Sequence, residues 1–214
     1  MRPEPMAIRF PIDIDIDRVK GFMPPGEGEA LYRRAVSASR LGPCLEIGSY
    51  CGKSTVYLGT ACKETGSSLF ALDHHRGSEE HQLGQEYHDP ELFDATEGVV
   101  DSFREFRRTL RLAALEGHVI PLVASSVVAA RRWSMPLGLV FIDGGHSFDA
   151  ALTDYRCWIP HLVPGGTLAI HDIFFDPAAG GQAPHTIWRM ALASNLFAAP
   201  ELSGTLGLLT RVEH

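Results

Sequence analysis

An α/β fold, a doubly wound and mostly parallel sheet with helices on both faces, is what three features of this 214-residue sequence predict. Short apolar runs alternate with helical patterns along most of the chain, the order that builds a parallel sheet covered on both sides. The first run, Pro43-Cys44-Leu45-Glu46-Ile47, ends in Gly48 and Gly52 and passes into a helix. The second, Leu69-Phe70-Ala71-Leu72, closes on the carboxylate of Asp73. With 45% apolar residues, a chain of this length buries one substantial core and falls short of two ordinary domains. Residues 1–26 read as an N-terminal extension and 27–214 as a single domain.

Each element follows from its pattern. Ile12-Asp13-Ile14-Asp15-Ile16-Asp17 alternates with period two and reads as a short edge strand, closed by Gly21 and Pro24-Pro25. Ala30, Leu31, Ala35 and Val36 at helical spacing predict a helix over 27–40, leading into strand 43–47. A helix over 53–63 follows the glycine turn, and strand 69–73 follows that. A long connection from His74 to Ala95 precedes an amphipathic helix with Val99, Phe103, Phe106 and Leu110 on one side. Strand 118–123 leads to Ser125-Ser126, and strand 138–143 to Gly144-Gly145. A helix over 148–162 stops at Pro164-Gly165-Gly166, ahead of strand 167–171. Leu196 to Val212, two apolar runs split by Pro200 and Gly204, suits a C-terminal antiparallel hairpin on the sheet edge. The expected result is Rossmann-like.

Bulk composition narrows the partners. A formal charge of −7 and a pI near 5.8, with no run rich in Lys or Arg, argue against a nucleic-acid backbone as ligand. Arg107-Arg108 and Arg131-Arg132 read as solvated helix faces. Cys44, Cys51, Cys62 and Cys157 lack C-x-x-C spacing, the pattern of reduced thiols. Met1 to Ile12 has no continuous apolar core, so no signal peptide is expected. No stretch approaches the roughly 20 apolar residues of a membrane span, and a cytoplasmic location is expected. The acidic edge strand and the terminal hairpin are candidate homodimer surfaces.

The spacing of the glycines selects among nucleotide-type ligands. In open α/β sheets ligands bind outside the carboxyl ends of the strands, where the strand order reverses. Glu46, Asp73, Ser125-Ser126, Asp143 and His171-Asp172 all fall at such ends. A glycine turn opening a helix brings bare N–H groups to a ligand, and an acidic residue about 20 positions later accepts bonds from ribose hydroxyls. A G-x-G-x-x-G fingerprint is missing, since Tyr50 stands at the second glycine. A P-loop needs four residues between its first glycine and G-K-[ST], whereas Gly48 to Gly52-Lys53-Ser54 leaves three. Val140-Phe141-Ile142-Asp143 nevertheless imitates the acidic strand of an ATPase, so a nucleotide-binding phosphotransferase or ATPase is the competing reading. Glu46, read as a carboxylate at the mouth of the first strand, repels a triphosphate and attracts a cationic ligand.

Through Glu46-Ile47-Gly48-Ser49-Tyr50-Cys51-Gly52-Lys53-Ser54-Thr55, Asp73 and Val140-Phe141-Ile142-Asp143-Gly144-Gly145-His146, the chain resembles class I S-adenosylmethionine-dependent methyltransferases. It is most similar to a small bacterial branch with E-I-G-x-x-x-G-K-S-T and F-I-D-G-x-H motifs. The resemblance spans roughly residues 27 to 212. It implies S-adenosyl-L-methionine as cofactor, held by Glu46, Gly48, Ser49, Tyr50, Gly52, Ser54, Asp73, His74, Ser125, Ser126 and Asp143. It also implies methyl transfer to a small-molecule acceptor, with oxygen as the expected atom. A cofactor-binding protein without turnover is the third reading.

Methyl transfer from a sulfonium releases a neutral thioether, so the protein's task is to align the acceptor and remove its proton. Asp143 with His171-Asp172 offers two carboxylates and an imidazole as candidate ligands for a divalent metal, Mg or Mn. His171 departs from the resemblance, because many relatives carry an acidic residue there. His146, three residues past Asp143, is a candidate general base, its alternative being a helix cap. Catalytic roles are expected for His146 and Asp143. Residues 74–88 carry four of the chain's ten histidines, and connections this long are either lids or plain exposed loops. Phe174 to Pro184 is a second candidate lid, with Trp188 behind it as core.

Overall fold

The computed structural model describes residues 12, 14–78, 84, 88–145 and 147–213. Helix α1 (Pro25–Ala38) starts with proline at its first position, where the missing N–H is no loss, and buries Glu27, Leu31, Ala35 and Ala38 on one stripe. Strand β1 (Cys44–Ile47) is buried throughout. Helix α2 (Lys53–Thr65) opens at Gly52 and closes at Gly66, both left-handed, with the Gly66 N–H returned to the carbonyls of Cys62 and Lys63. Strand β2 (Leu69–Leu72) follows, and then a two-stranded ladder of β3 (Phe93–Asp94) and β4 (Val99–Val100). Helix α3 (Phe103–Leu112), strand β5 (Val119–Leu122), the short helix α4 (Ser126–Ala130), strand β6 (Leu137–Ile142) and helix α5 (Phe148–Trp158) come next. Strand β7 (Leu162–Ile170), helix α6 (Ala183–Ala193) and the hairpin β8 (Phe197–Ser203) and β9 (Leu206–Arg211) complete the chain.

The seven main strands form one sheet in the order β5-β2-β1-β6-β7-β9-β8. All neighbours are parallel except the β7–β9 and β8–β9 pairs. The chain therefore winds outward from β1 through β2 to β5, returns to β6, and winds the other way. The strand order reverses between β1 and β6. Both strands are buried on every residue, as a parallel sheet covered on both faces requires. One core layer gathers Leu31, Val56, Leu58, Phe106 and Phe141. The other gathers Leu45, Val140, Trp158, Leu168, Ile187 and Trp188.

Three expectations change. Ile12–Asp17 forms no strand among its described residues; Ile16–Arg18 is a 3₁₀ turn, with the Asp15 side chain accepting the Asp17 N–H at 3.3 Å. Aspartates compete with a ladder by capping turns, and Ile12, Ile14 and Ile16 all pack on the core instead of alternating across a sheet. Met23, in the segment read as an extension, is 3% exposed within that core. Val99 belongs to β4, so the amphipathic helix starts at Phe103. Pro164-Gly165-Gly166 does not precede the following strand but lies inside β7, where the register against β6 shifts between Leu137 and Leu139. Pro200 sits on the outermost strand, beside a register shift between Ala198 and Glu201, where a missing N–H is tolerated. Residues 79–83 and 85–87 of the histidine-rich connection, His81 among them, lie outside the described residues.

Candidate active site

The ladders continue one residue past the strands and bring the predicted site residues to one edge. Gly48 N–H donates to the Leu72 carbonyl (2.9 Å), Asp73 N–H to Leu122 (3.1 Å), Asp143 N–H to Ile47 (2.9 Å) and His171 N–H to Ile142 (3.1 Å). Gly48 (φ +90°) lies where β1 and β6 part, and a Cβ there would collide with the Asp143 carbonyl. Only glycine permits that approach.

The turn from Gly48 to Gly52 is held by the Gly52 N–H on the Ser49 carbonyl (2.7 Å) and by Tyr50 at φ 44°. Asp73 locks it from the next strand. Its Oδ2 accepts the Tyr50 N–H (2.8 Å) and its Oδ1 the His75 N–H (2.7 Å), leaving further lone pairs on a half-buried carboxylate. The Ser49 hydroxyl, on a residue 1% exposed, has no partner among the described residues. An orphaned buried hydroxyl in a glycine turn calls for a ligand group. Behind the turn, His75 is buried against Phe103 and Phe106, with Nδ1 2.9 Å from the Ser102 hydroxyl.

Glu46 does not stand at the mouth. Alternation along β1 turns it under the first turn of α2, where it is fully buried and accepts from Ser54 Oγ (2.6 Å) and Thr55 Oγ1 (2.5 Å). Burial pushes its carboxyl up to about 8, although those two hydroxyls pull the other way. Glu46 is therefore a buttress beneath the turn, and the Ser54 hydroxyl is committed to it. Ser126 is likewise committed: its Oγ donates to Asp154 Oδ1 (2.5 Å) and accepts the Trp158 indole N–H (2.9 Å). Ser125 stands exposed before α4, and His74 is exposed after β2, its Nδ1 accepting the Arg76 N–H at 3.1 Å. Lys53, the residue a phosphate cradle needs, reaches the Gly21 carbonyl at 3.5 Å.

Across the reversal point, His171 Nδ1 lies 3.2 Å from Asp143 Oδ1 and 3.4 Å from Asp172 Oδ1. One ligand atom from each of the three residues lies within 4.8 Å of the others. Burial opposes a charge on His171, yet Asp143, Asp172 and Glu27 outweigh it and push its pKa up to about 12. Asp172 adopts φ 58°, which turns it back toward the ring. Of the residues sequence reasoning overlooked, Glu27 is foremost, 2.6 Å from His171 Nε2. The signal was present, as a carboxylate in phase with the apolar stripe of Leu31, Ala35 and Ala38. His146 lies outside the described residues.

In this doubly wound sheet the glycine turn, the Asp73 that follows β2 and the acids after β6 and β7 gather at the reversal point, where open α/β sheets bind their ligands. Residues 45–173 match the model of the methyltransferase domain family, more than half of the chain, and the protein belongs to that family and is a methyltransferase. In fold it is similar to the O-methyltransferase NovP, at TM-score 0.66 and 14% identity, over 88% of this chain and 80% of that one. The O-methyltransferase TomG from Streptomyces achromogenes, involved in tomaymycin synthesis and solved with SAM, matches at 0.61 and 14%, over 90% and 82%. A Bacillus cereus O-methyltransferase in complex with SAH matches at 0.59 and 14%, over 89% and 83%. Among the described residues, no helix is long and apolar enough to cross a membrane.

Proposed function

We propose that this methyltransferase takes its methyl group from S-adenosylmethionine and delivers it to an oxygen of a small-molecule acceptor, assisted by a divalent ion, Mg²⁺ or Mn²⁺. The observation that carries the cofactor assignment is Asp73, bonded to the Tyr50 N–H beside a Ser49 hydroxyl that has no partner among the described residues. Asp73 is placed to accept ribose hydroxyls, while Gly48, Ser49, Tyr50 and Gly52 offer backbone to the methionyl side. Asp143 is placed to counter the cofactor's positive charges. His74 and Ser125, exposed at the neighbouring strand ends, are further contacts for the cofactor. Glu46, Ser54 and Ser126 act through the backbone they hold. SAM and SAH in two structures of this fold support the reading.

The convergence of His171 Nδ1, Asp143 and Asp172, with the other ring nitrogen on a carboxylate, supports a divalent ion held by these three residues. Bound there, the ion would lower the pKa of an acceptor hydroxyl and fix its direction. Asp143 and Asp172 orient the acceptor, and His146, next in sequence to Gly145, takes its proton as general base. The turn of Lys53 onto Gly21 supports methyl transfer over the phosphotransferase reading.

Calorimetric titration with S-adenosylhomocysteine and, separately, ATP, each with and without Mg²⁺ or Mn²⁺, tests this. Tight binding of S-adenosylhomocysteine alone is the expected result. Binding of ATP with metal, and none of S-adenosylhomocysteine, overturns it.

A further inference from the structure

We infer that Glu27, in the first turn of α1, is a positioning residue that sets the His171 ring for the divalent ion with Nδ1 as its ligand atom; this rests on the metal-assisted reading above. A carboxylate on the buried stripe of a helix needs a partner for each oxygen. Glu27, 6% exposed, has both. Its Oε1 accepts the Thr205 N–H (2.6 Å) and Oγ1–H (3.2 Å) in the turn between β8 and β9. Its Oε2 lies 2.6 Å from His171 Nε2.

The turn is shaped to admit that carboxylate, since Gly204 (φ +59°) is where a Cβ would strike Glu27 Oε1. An imidazole ligates an ion only in its neutral form, which has one N–H and one lone pair. With Glu27 accepting at Nε2, the lone pair falls on Nδ1, the nitrogen facing Asp143 and Asp172. Metal-bound histidines commonly donate their second N–H to a carboxylate, which fixes both tautomer and ring direction. Glu27 is buried behind the ring, so it acts through His171. Three distant pieces of chain, α1, the end of β7 and the terminal hairpin, are joined at this one carboxylate.

Glu27→Gln is the informative variant because it keeps the volume but halves the acceptors. One amide oxygen cannot serve both the Thr205 N–H and the His171 N–H, and an NH₂ turned toward Nε2 moves the ring proton to Nδ1, removing the ligand lone pair. Titration of the full-length protein with Mn²⁺ should show affinity falling 10- to 100-fold, roughly the loss usual for such partners. Affinity for S-adenosylhomocysteine should stay within about twofold, since the bonds of Glu27 run to His171 and Thr205. In the Mg²⁺-loaded protein, nitrogen NMR should place the His171 proton on Nε2, and this signature should be lost in Glu27→Gln. Glu27→Ala, measured alongside, should lose Mn²⁺ affinity to a similar degree. Unchanged Mn²⁺ affinity and an unchanged His171 signature in Glu27→Gln would leave Glu27 a mere fastening for the hairpin and overturn the inference. Wild-type protein that binds S-adenosylhomocysteine but takes up no Mn²⁺ overturns the metal reading, and this inference with it.

Discussion

Glu46 shows how a single residue's environment reverses the role its charge suggests. Burial lifts its carboxyl to about 8; the Ser54 and Thr55 hydroxyls oppose the shift, and the charges of Asp143 and Asp73 add to it. An unfolded chain releases this proton near 4.5, so between there and about 8 the native protein holds the extra proton. Stability contributed by the neutral acid is full below the lower value and is lost as pH rises toward the upper one. Glutamine is close in shape to the protonated acid, with a carbonyl acceptor and a donor NH₂. Glu46→Gln should flatten the decline by up to about 1.4 kcal/mol per pH unit, the ceiling for one proton. Urea midpoints at three pH values across this window check it; parallel curves for the two proteins would place the proton elsewhere. The motif E-x-G was legible as a residue pattern. Its charge state was not, because alternation places Glu46 against α2 and local sequence says nothing of the dielectric there.

At the scale of elements, helices α4 and α5 are joined by a buried chain of bonds from Trp158 through Ser126 to Asp154. Burial pushes Asp154 up to about 6, and the Ser126 bond pulls against that rise. Ser126→Ala removes the middle link and strands an indole N–H and a carboxyl oxygen inside the protein. A loss of about 1–3 kcal/mol is expected, the cost of unsatisfied buried polar groups, with little change in S-adenosylhomocysteine affinity. Thermal unfolding and calorimetry of the same sample separate the two. A variant of wild-type stability that no longer binds the cofactor product would mean that the hydroxyl touches the ligand. The same scale explains what pattern reading found and missed. Helix α2 was legible from its flanking glycines and α6 hides Trp188 as expected, at 3% exposure. The Ile-Asp repeat misled because period two describes alternation, not the presence of a partner strand.

Over the whole molecule, the candidate site lies where the sheet winds both ways from β1 and β6. Gly48 stands at that parting, and its left-handed φ and lack of Cβ let the two strand ends meet. Gly48→Ala adds strain of about 1–3 kcal/mol at the junction. Affinity for S-adenosylhomocysteine should fall at least about tenfold, as 1.4 kcal/mol is one decade, while the far-UV spectrum stays native. Unchanged affinity would remove the junction from the cofactor site. Apolar period, punctuating glycines and acidic residues at strand ends are local features, each set by a few neighbouring side chains, so the sequence by itself determined the α/β class, the family and the strand edge where the candidate residues gather. Glu27 and His171 stand 144 residues apart, and the burial of Glu46 depends on a helix laid over its strand. Those pairings cost chain entropy that only the folded core repays, and so the tertiary structure alone decided which acids carry charge, which serines are structural, and which nitrogen of His171 faces the cleft.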